Sequence, residues 1–150
     1  MPRIHDITTD TLDPPQFVDV LPFRRRALNP PDYGGEAVAA QQRAAWPDLA
    51  PLETPVDRRR VHVAAREAMV RAGWRVVGDD VAAGRLEAIA TTRWLRFKDD
   101  VVVRLRDTPA GGTRVDVRSK SRIGRNDLGM NARRIRAYLA DLHAALAASR

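Results

Sequence analysis

The sequence has no cysteine, which excludes disulfides, thiolate metal sites and thiol catalysis. Aromatic residues make up only 5%, and Lys98 and Lys120 are the only lysines among 26 basic residues. Nucleic-acid binding, which usually adds lysine clusters and stacking aromatics, is therefore not expected. No stretch approaches the roughly 18 apolar residues of a membrane span, and the acid-rich opening MPRIHDITTDTLD lacks the apolar core of a signal peptide. Proline is nearly absent after residue 55, because nine of the ten prolines fall within the first 55 residues.

What remains is an ordinary globular composition. With 150 residues and 44% hydrophobic content, one domain can bury a core without covalent staples. The expected organisation is a single domain over 1–150: an extended arm at 1–33, a short helix and connector at 34–56, then a helix, a β-meander and a C-terminal helix at 57–150. The net charge of +7 is uneven. Residues 1–56 hold 5 basic and 8 acidic side chains, residues 57–112 hold 12 and 8, and residues 113–150 hold 9 and 3. A basic C-terminal end suggests attraction to an anion.

Proline pairs such as Pro14-Pro15 and Pro30-Pro31 forbid regular elements in the first third, yet Ile4, Ile7, Leu12, Phe17, Val18, Leu21 and Phe23 are too many apolar groups for a solvated tail. This Pro-rich arm is expected to lie across the body. A short helix is expected near Gly35 to Ala45. Thr54-Pro55-Val56-Asp57 predicts a helix start, with the threonine as cap and the proline at the first helical position. Val61, Ala64, Ala65, Ala68 and Met69 form its apolar face, and Gly73 its stop. WRVV, RLEAIATT, DVVVRL and TRVDVRS then read as strands of an antiparallel meander. Val101, Val103, Leu105, Val115 and Val117 face one way. Arg104, Arg106, Arg114, Asp116 and Arg118 face the other, where Glu87 can pair across strands. Asn126 or Asp127 can cap a last helix with a stripe of Ile135, Leu139, Leu142 and Leu146, with Tyr138 alongside. The fold class is α+β, an antiparallel four- to five-stranded sheet packed on two long helices.

The segments RIHDITTDTLDPPQF, WPDLAPL, GRLEAIATTRWLRFKDDVVVRL and VDVRSKSRIGRNDLGMNARRIRAYLADL resemble, in this order and spacing, domain-of-unknown-function family 1499 (DUF1499). The resemblance runs from Pro2 to about Leu142. It implies a bacterial protein whose domain often follows membrane helices and faces away from the cytoplasm. This sequence lacks those helices. It reads either as a trimmed domain at the periplasmic face of the cell envelope or as a soluble, cytoplasmic member.

The segment VRSKSRIGRNDLGMNARR, residues 117–134, is the richest in polar chemistry. If strand alternation persists, Ser119 and Ser121 share one side and Arg118 and Lys120 the other. Gly124 permits a turn, Asn126 and Asp127 start the helix, and Arg133 and Arg134 sit in its first turns, against the helix dipole. An anion at this strand-to-helix junction would offset that repulsion, held by Arg118, Ser119, Ser121, Arg122, Gly124, Asn126, Asp127, Asn131 and Arg134. The competing reading is structural: Arg118 and Arg122 pair with Glu87, Asp99, Asp100 or Asp116, and Asp127 satisfies the helix N–H groups.

Enzyme motifs fail on inspection. GRNDLG has the spacing of a phosphate loop, but Met130-Asn131 replaces the required Lys-Ser/Thr. His5, His62 and His143 are not spaced as metal ligands and read as surface or helix-face residues, so no metal and no cofactor are expected. Asp99 and Asp100, as strand neighbours, face opposite sides. Trp46, Trp74, Trp94 and Phe97 read as core or arm-docking groups, and Arg24-Arg25-Arg26 as a solvated run, with acidic lipid as the alternative. The leading expectation is a non-catalytic accessory domain of the cell envelope that binds an anionic small molecule, lipid headgroup or glycan. The alternatives are a hydrolase of a phosphorylated or acidic substrate, with Ser119 or Ser121 near Asp99, and a protein interaction module. Oligomeric state is not legible.

Overall fold

Four runs of alternating residues form the centre of the structure, a computed structural model that describes residues 4–148. They are β3 (Arg75–Asp80), β4 (Arg85–Thr91), β5 (Lys98–Asp107) and β6 (Thr113–Ser121), each antiparallel to the next. The register sets Val103 opposite Val117 and Leu105 opposite Val115, so the valine-rich face is continuous across the sheet. Two helices cover it, α2 (Arg58–Arg71) with Val61, Ala65, Ala68 and Met69, and α3 (Met130–Ala148) with Ile135, Tyr138, Leu142 and Leu146. The Tyr138 hydroxyl, buried between them, donates to Ala65 O at 2.8 Å, and burial raises its pKa. No helix among the described residues is long and apolar enough to cross a membrane.

The sheet has six strands where the sequence suggested four or five. The extra two, β1 (Asp6–Thr8) and β2 (Leu52–Thr54), lie end to end on the outer edge of β6: β1 pairs with Arg118 to Lys120, and β2 with Thr113 to Val115. At three residues each they are too short to show a period, but they satisfy backbone groups that a nine-residue edge strand would leave open. A third helix, α1 (Glu36–Ala45), lies between them in sequence.

The first 33 residues are therefore more than an extended arm, since they hold β1 and a 3-10 turn at Leu21–Arg24. Ile4, Ile7, Phe17 and Val20 are buried. The cap of α2 also differs from the expectation. Asp57, not Thr54, accepts the Arg60 N–H, at 3.1 Å, and the helix begins at Arg58. Thr54 is committed to β2, and its hydroxyl accepts the Val56 N–H.

The second face of the sheet is ionic, but its arginines have other partners than Glu87. Asp10, from the N-terminal segment, accepts from Arg104 at 3.1 Å, Arg106 at 3.3 Å and Arg114 at 3.1 Å. Asp116 pairs with the same three and accepts from the Thr9 hydroxyl at 2.7 Å. Burial would raise the Asp10 pKa. The Asp13 and Leu12 N–H groups and the Arg114 and Arg104 charges outweigh it and hold the carboxyl below its ordinary value. Glu87, fully buried, instead accepts the N–H groups of Val18 at 2.9 Å, Asp19 at 2.6 Å and Val20 at 3.4 Å, with Arg85 at 3.3 Å. Three successive amides of the arm thus close on one carboxylate.

Candidate functional site

Alternation along β6 sends its polar residues to two different places. On the outer face, Arg118 binds Asp6 through two parallel contacts of 2.9 Å and donates to Pro15 O and Pro31 O. Its guanidinium lies 4.5 Å from the Phe17 ring centre. Lys120 donates to Asp32 O at 2.7 Å and lies 3.3 Å from Asp6. Burial, more than any neighbour, lowers the Lys120 pKa. Arg122 clasps Asp100 at 2.8 Å, and Arg24 reaches the same carboxylate. Arg24 is accordingly buried, which corrects the expectation of a solvated arginine run to Arg25 and Arg26 alone.

On the inner face, Ser119 donates to Asn131 Oδ1 at 2.6 Å, and Asn131 donates to Ser121 Oγ at 2.9 Å and Asp127 at 2.8 Å. Asp127 accepts the Gly129 and Asn131 N–H groups at the start of α3, and Asn126 accepts from Leu128 N. Arg134 bonds Asn131 Oδ1 and Asp99, each at 2.8 Å. The carboxylates that offset the arginine in the first turns of α3 are thus Asp127 and Asp99. Burial raises the Asp99 pKa, opposed by Arg134 and a hydrogen bond from Ser121. Asp99 and Asp100 do face opposite sides of β5.

The expected site residues therefore separate. Arg118, Arg122 and Arg134 are engaged by Asp6, Asp100 and Asp99. Ser121, Gly124, Asn126 and Asp127, together with Asp99, line an open cleft of about 430 Å³ between the β4–β5 loop and the β6–α3 loop. Besides Thr92 and Arg93, the rest of that cleft is apolar: Trp94, Leu95 and Phe97 on one side, and Ile123, Leu128 and Met130 on the other. Trp94 is 90% exposed, Leu95 71% and Leu128 65%. This corrects the reading of Trp94 and Phe97 as core or arm-docking groups. Trp46 and Trp74 do pack on the core, the latter stacked on Tyr138 at 5.0 Å.

Sequence reasoning missed this apolar cluster because turn residues follow no period. One backbone signal marks it. Among the described residues, the only non-glycine positions with positive φ are Arg96 (53°) and Leu128 (55°), one in each of the two loops. Such strained positions concentrate at functional sites. Arg93, Arg96 and Arg125 are exposed on the same loops, and among the described residues they have no ionic partner.

The histidines give no metal centre, and no group of three or more candidate metal ligands occurs among the described residues. His143 is exposed. His62 is a buried helix-face residue, because α2 turns it toward β3, where it meets Asp79 at 2.6 Å. That hydrogen bond holds the Asp79 carboxyl below its ordinary value. His5 precedes β1, and its carbonyl accepts the Ser121 N–H at 2.9 Å. Burial, then Lys120, lowers its pKa.

Compared with known proteins, residues 6–142 match the profile of the family described as "Protein of unknown function (DUF1499)". No curated protein matches the sequence.

Proposed function

The chain belongs to the DUF1499 family, whose description carries no reaction, and on that premise we propose a function from the geometry: a non-catalytic binding domain of the cell envelope for an acidic amphiphile. The apolar part of the ligand enters the cleft between Trp94 and Leu128, and its anionic group meets Arg93, Arg96 and Arg125. One observation carries this reading. Five apolar side chains on two loops, with Met130 at the start of α3, stand beside three guanidinium groups that have no ionic partner among the described residues, and Asp127 is the only acid on the loops themselves. An apolar cleft with a few polar groups at its margin suits an amphiphile better than a free inorganic anion, for which the buried arginines of β6 are already neutralised.

A titration with decyl phosphate below its micellar concentration tests the proposal. The Trp94 fluorescence should shift to the blue and the melting temperature rise. At a ligand concentration of about 100 Kd the stabilisation is about 2.7 kcal/mol. Trp94→Phe should abolish the spectral shift but not the stabilisation. Sodium phosphate and decanol, each holding half of the chemistry, should act far more weakly. A protein indifferent to decyl phosphate overturns the reading.

The hydrolase remains a second reading, favoured by one arrangement: His5, Ser121 and Asp99 follow one another across β1, β6 and β5, beside the cleft. Against it, Ser121 already accepts from Asn131, and Asp99 is paired with Arg134. Turnover of p-nitrophenyl esters or phosphates that vanishes in Ser121→Ala would establish it, and its absence from the parent protein removes it.

A further inference from the structure

We infer that the two cleft loops dock the protein on an anionic bilayer surface, with Trp94, Leu95 and Leu128 entering the interface and Arg93, Arg96 and Arg125 meeting lipid headgroups. This rests on reading the cleft as an amphiphile site, and names the form in which the amphiphile is presented. The shape of the site points to it. A pocket for a single soluble ligand would enclose its apolar walls, whereas Trp94, Leu95 and Leu128 are the most exposed of the cleft's apolar groups and project outward. Isolated exposed apolar residues are ordinary, but a contiguous set on two adjoining loops marks an interaction surface.

Charge selects the partner. Residues 92–98 and 122–130 carry Arg93, Arg96, Lys98 and Arg125 against Asp127 alone, once Arg122 is set against its partner Asp100. A second copy of this chain would bring like charge against like at such a patch, and an apolar peptide would leave the guanidinium groups without partners. An anionic bilayer satisfies both halves, because its headgroups attract arginine and its interface accepts tryptophan and phenylalanine rings. No helix crosses the bilayer in this arrangement. The loops lie in the headgroup region, and the ion pairs behind them, Arg134 with Asp99 and Arg122 with Asp100, hold both loop bases rigid against the sheet.

The experiment is flotation of the full chain with vesicles of equal parts phosphatidylglycerol and phosphatidylcholine, beside vesicles of phosphatidylcholine alone. The protein should float with the first and stay behind with the second. Binding should fall by about 30-fold in Arg93→Ala/Arg96→Ala, at the usual contribution of one basic residue near an anionic surface. It should also be lost in about 0.5 M sodium chloride, where screening acts within about 4 Å. Leu95→Asp/Leu128→Asp should abolish binding while leaving the circular dichroism and melting temperature intact, since both side chains are exposed.

Three results overturn the inference: no flotation with either vesicle, flotation unchanged in Leu95→Asp/Leu128→Asp, or light scattering that shows a dimer with Trp94 shielded from a soluble quencher. The decyl phosphate titration separates this failure from that of the underlying reading. Response to the monomeric amphiphile without flotation sinks bilayer docking alone, whereas no response to either sinks both.

Discussion

Replacing Asp6 by alanine should lower folding stability by about 3 to 5 kcal/mol, the usual cost of breaking a buried ion pair from one side. Asp6 lies between Arg118 and Lys120, and all three side chains are almost fully buried. Removing the carboxylate leaves two cations facing each other away from water, their remaining contacts being the carbonyls of Pro15, Pro31 and Asp32 and, for Arg118, the Phe17 and Tyr33 rings. Urea unfolding followed by circular dichroism measures the loss. The triple change Asp6→Leu/Arg118→Met/Lys120→Met should recover much of it, because an apolar set of similar volume carries no desolvation cost. A loss below about 1 kcal/mol in Asp6→Ala would show that water reaches the cluster and that the pairing is of the weak surface kind.

Glu87→Ala should have the next largest effect, about 3 kcal/mol, because it strands the buried amide of Val20 and the partly buried amides of Val18 and Asp19 in one step. Trypsin should then cut at Arg24, Arg25 or Arg26 well before it cuts α2 or α3, whereas the parent protein should resist at all three. The pH dependence has a definite sign. Burial holds the Glu87 carboxyl above its ordinary value of 4.5, against the pull of the Asp19 and Val18 N–H groups. The folded state therefore keeps this proton longer than the unfolded chain does. The group's titration contributes stability that is full below about 4.5 and is lost as pH rises through the folded value. The difference between parent and Glu87→Ala should narrow over that window. A gap that widens there would show that an acid-labile contact of the carboxylate dominates instead.

The comparison of these two clusters explains what the sequence could reveal. Val101, Val103 and Leu105 against Val115 and Val117 were legible because a strand repeats every two residues and its partner is the next strand along the chain. Arg104, Arg106 and Arg114 were legible as the opposite face for the same reason. Their partner was not, because Asp10 lies more than 90 positions away, in a segment without a period. Glu87, on the strand beside them, is the natural candidate on local grounds, but three amides of the arm and its own neighbour Arg85 occupy its carboxylate. Ser119, Ser121, Asn131 and Arg134 meet at one junction through their own hydrogen bonds. Whether they served a ligand or one another depended on Asp99, whose direction off β5 was readable but whose distance to α3 was not. The Trp94 loop was least legible, since nothing in TTRWLRFK says that its apolar residues stay outside.

The end-to-end seating of β1 and β2 on β6 has a consequence for synthesis. Asp6 and Arg118 are 112 positions apart, so at about 5 to 20 residues per second the first strand waits roughly 6 to 22 s for its partner to leave the ribosome. Through that interval Ile4 and Ile7 have no strand beside them, although Phe17 and Val20 can already meet Val102 of β5. Translation that stalls in the turn after β5 therefore releases a chain with both of its short strands orphaned and its valine face open, a natural client for chaperones and proteases. The strand made first is thus the one that must wait for the last strand.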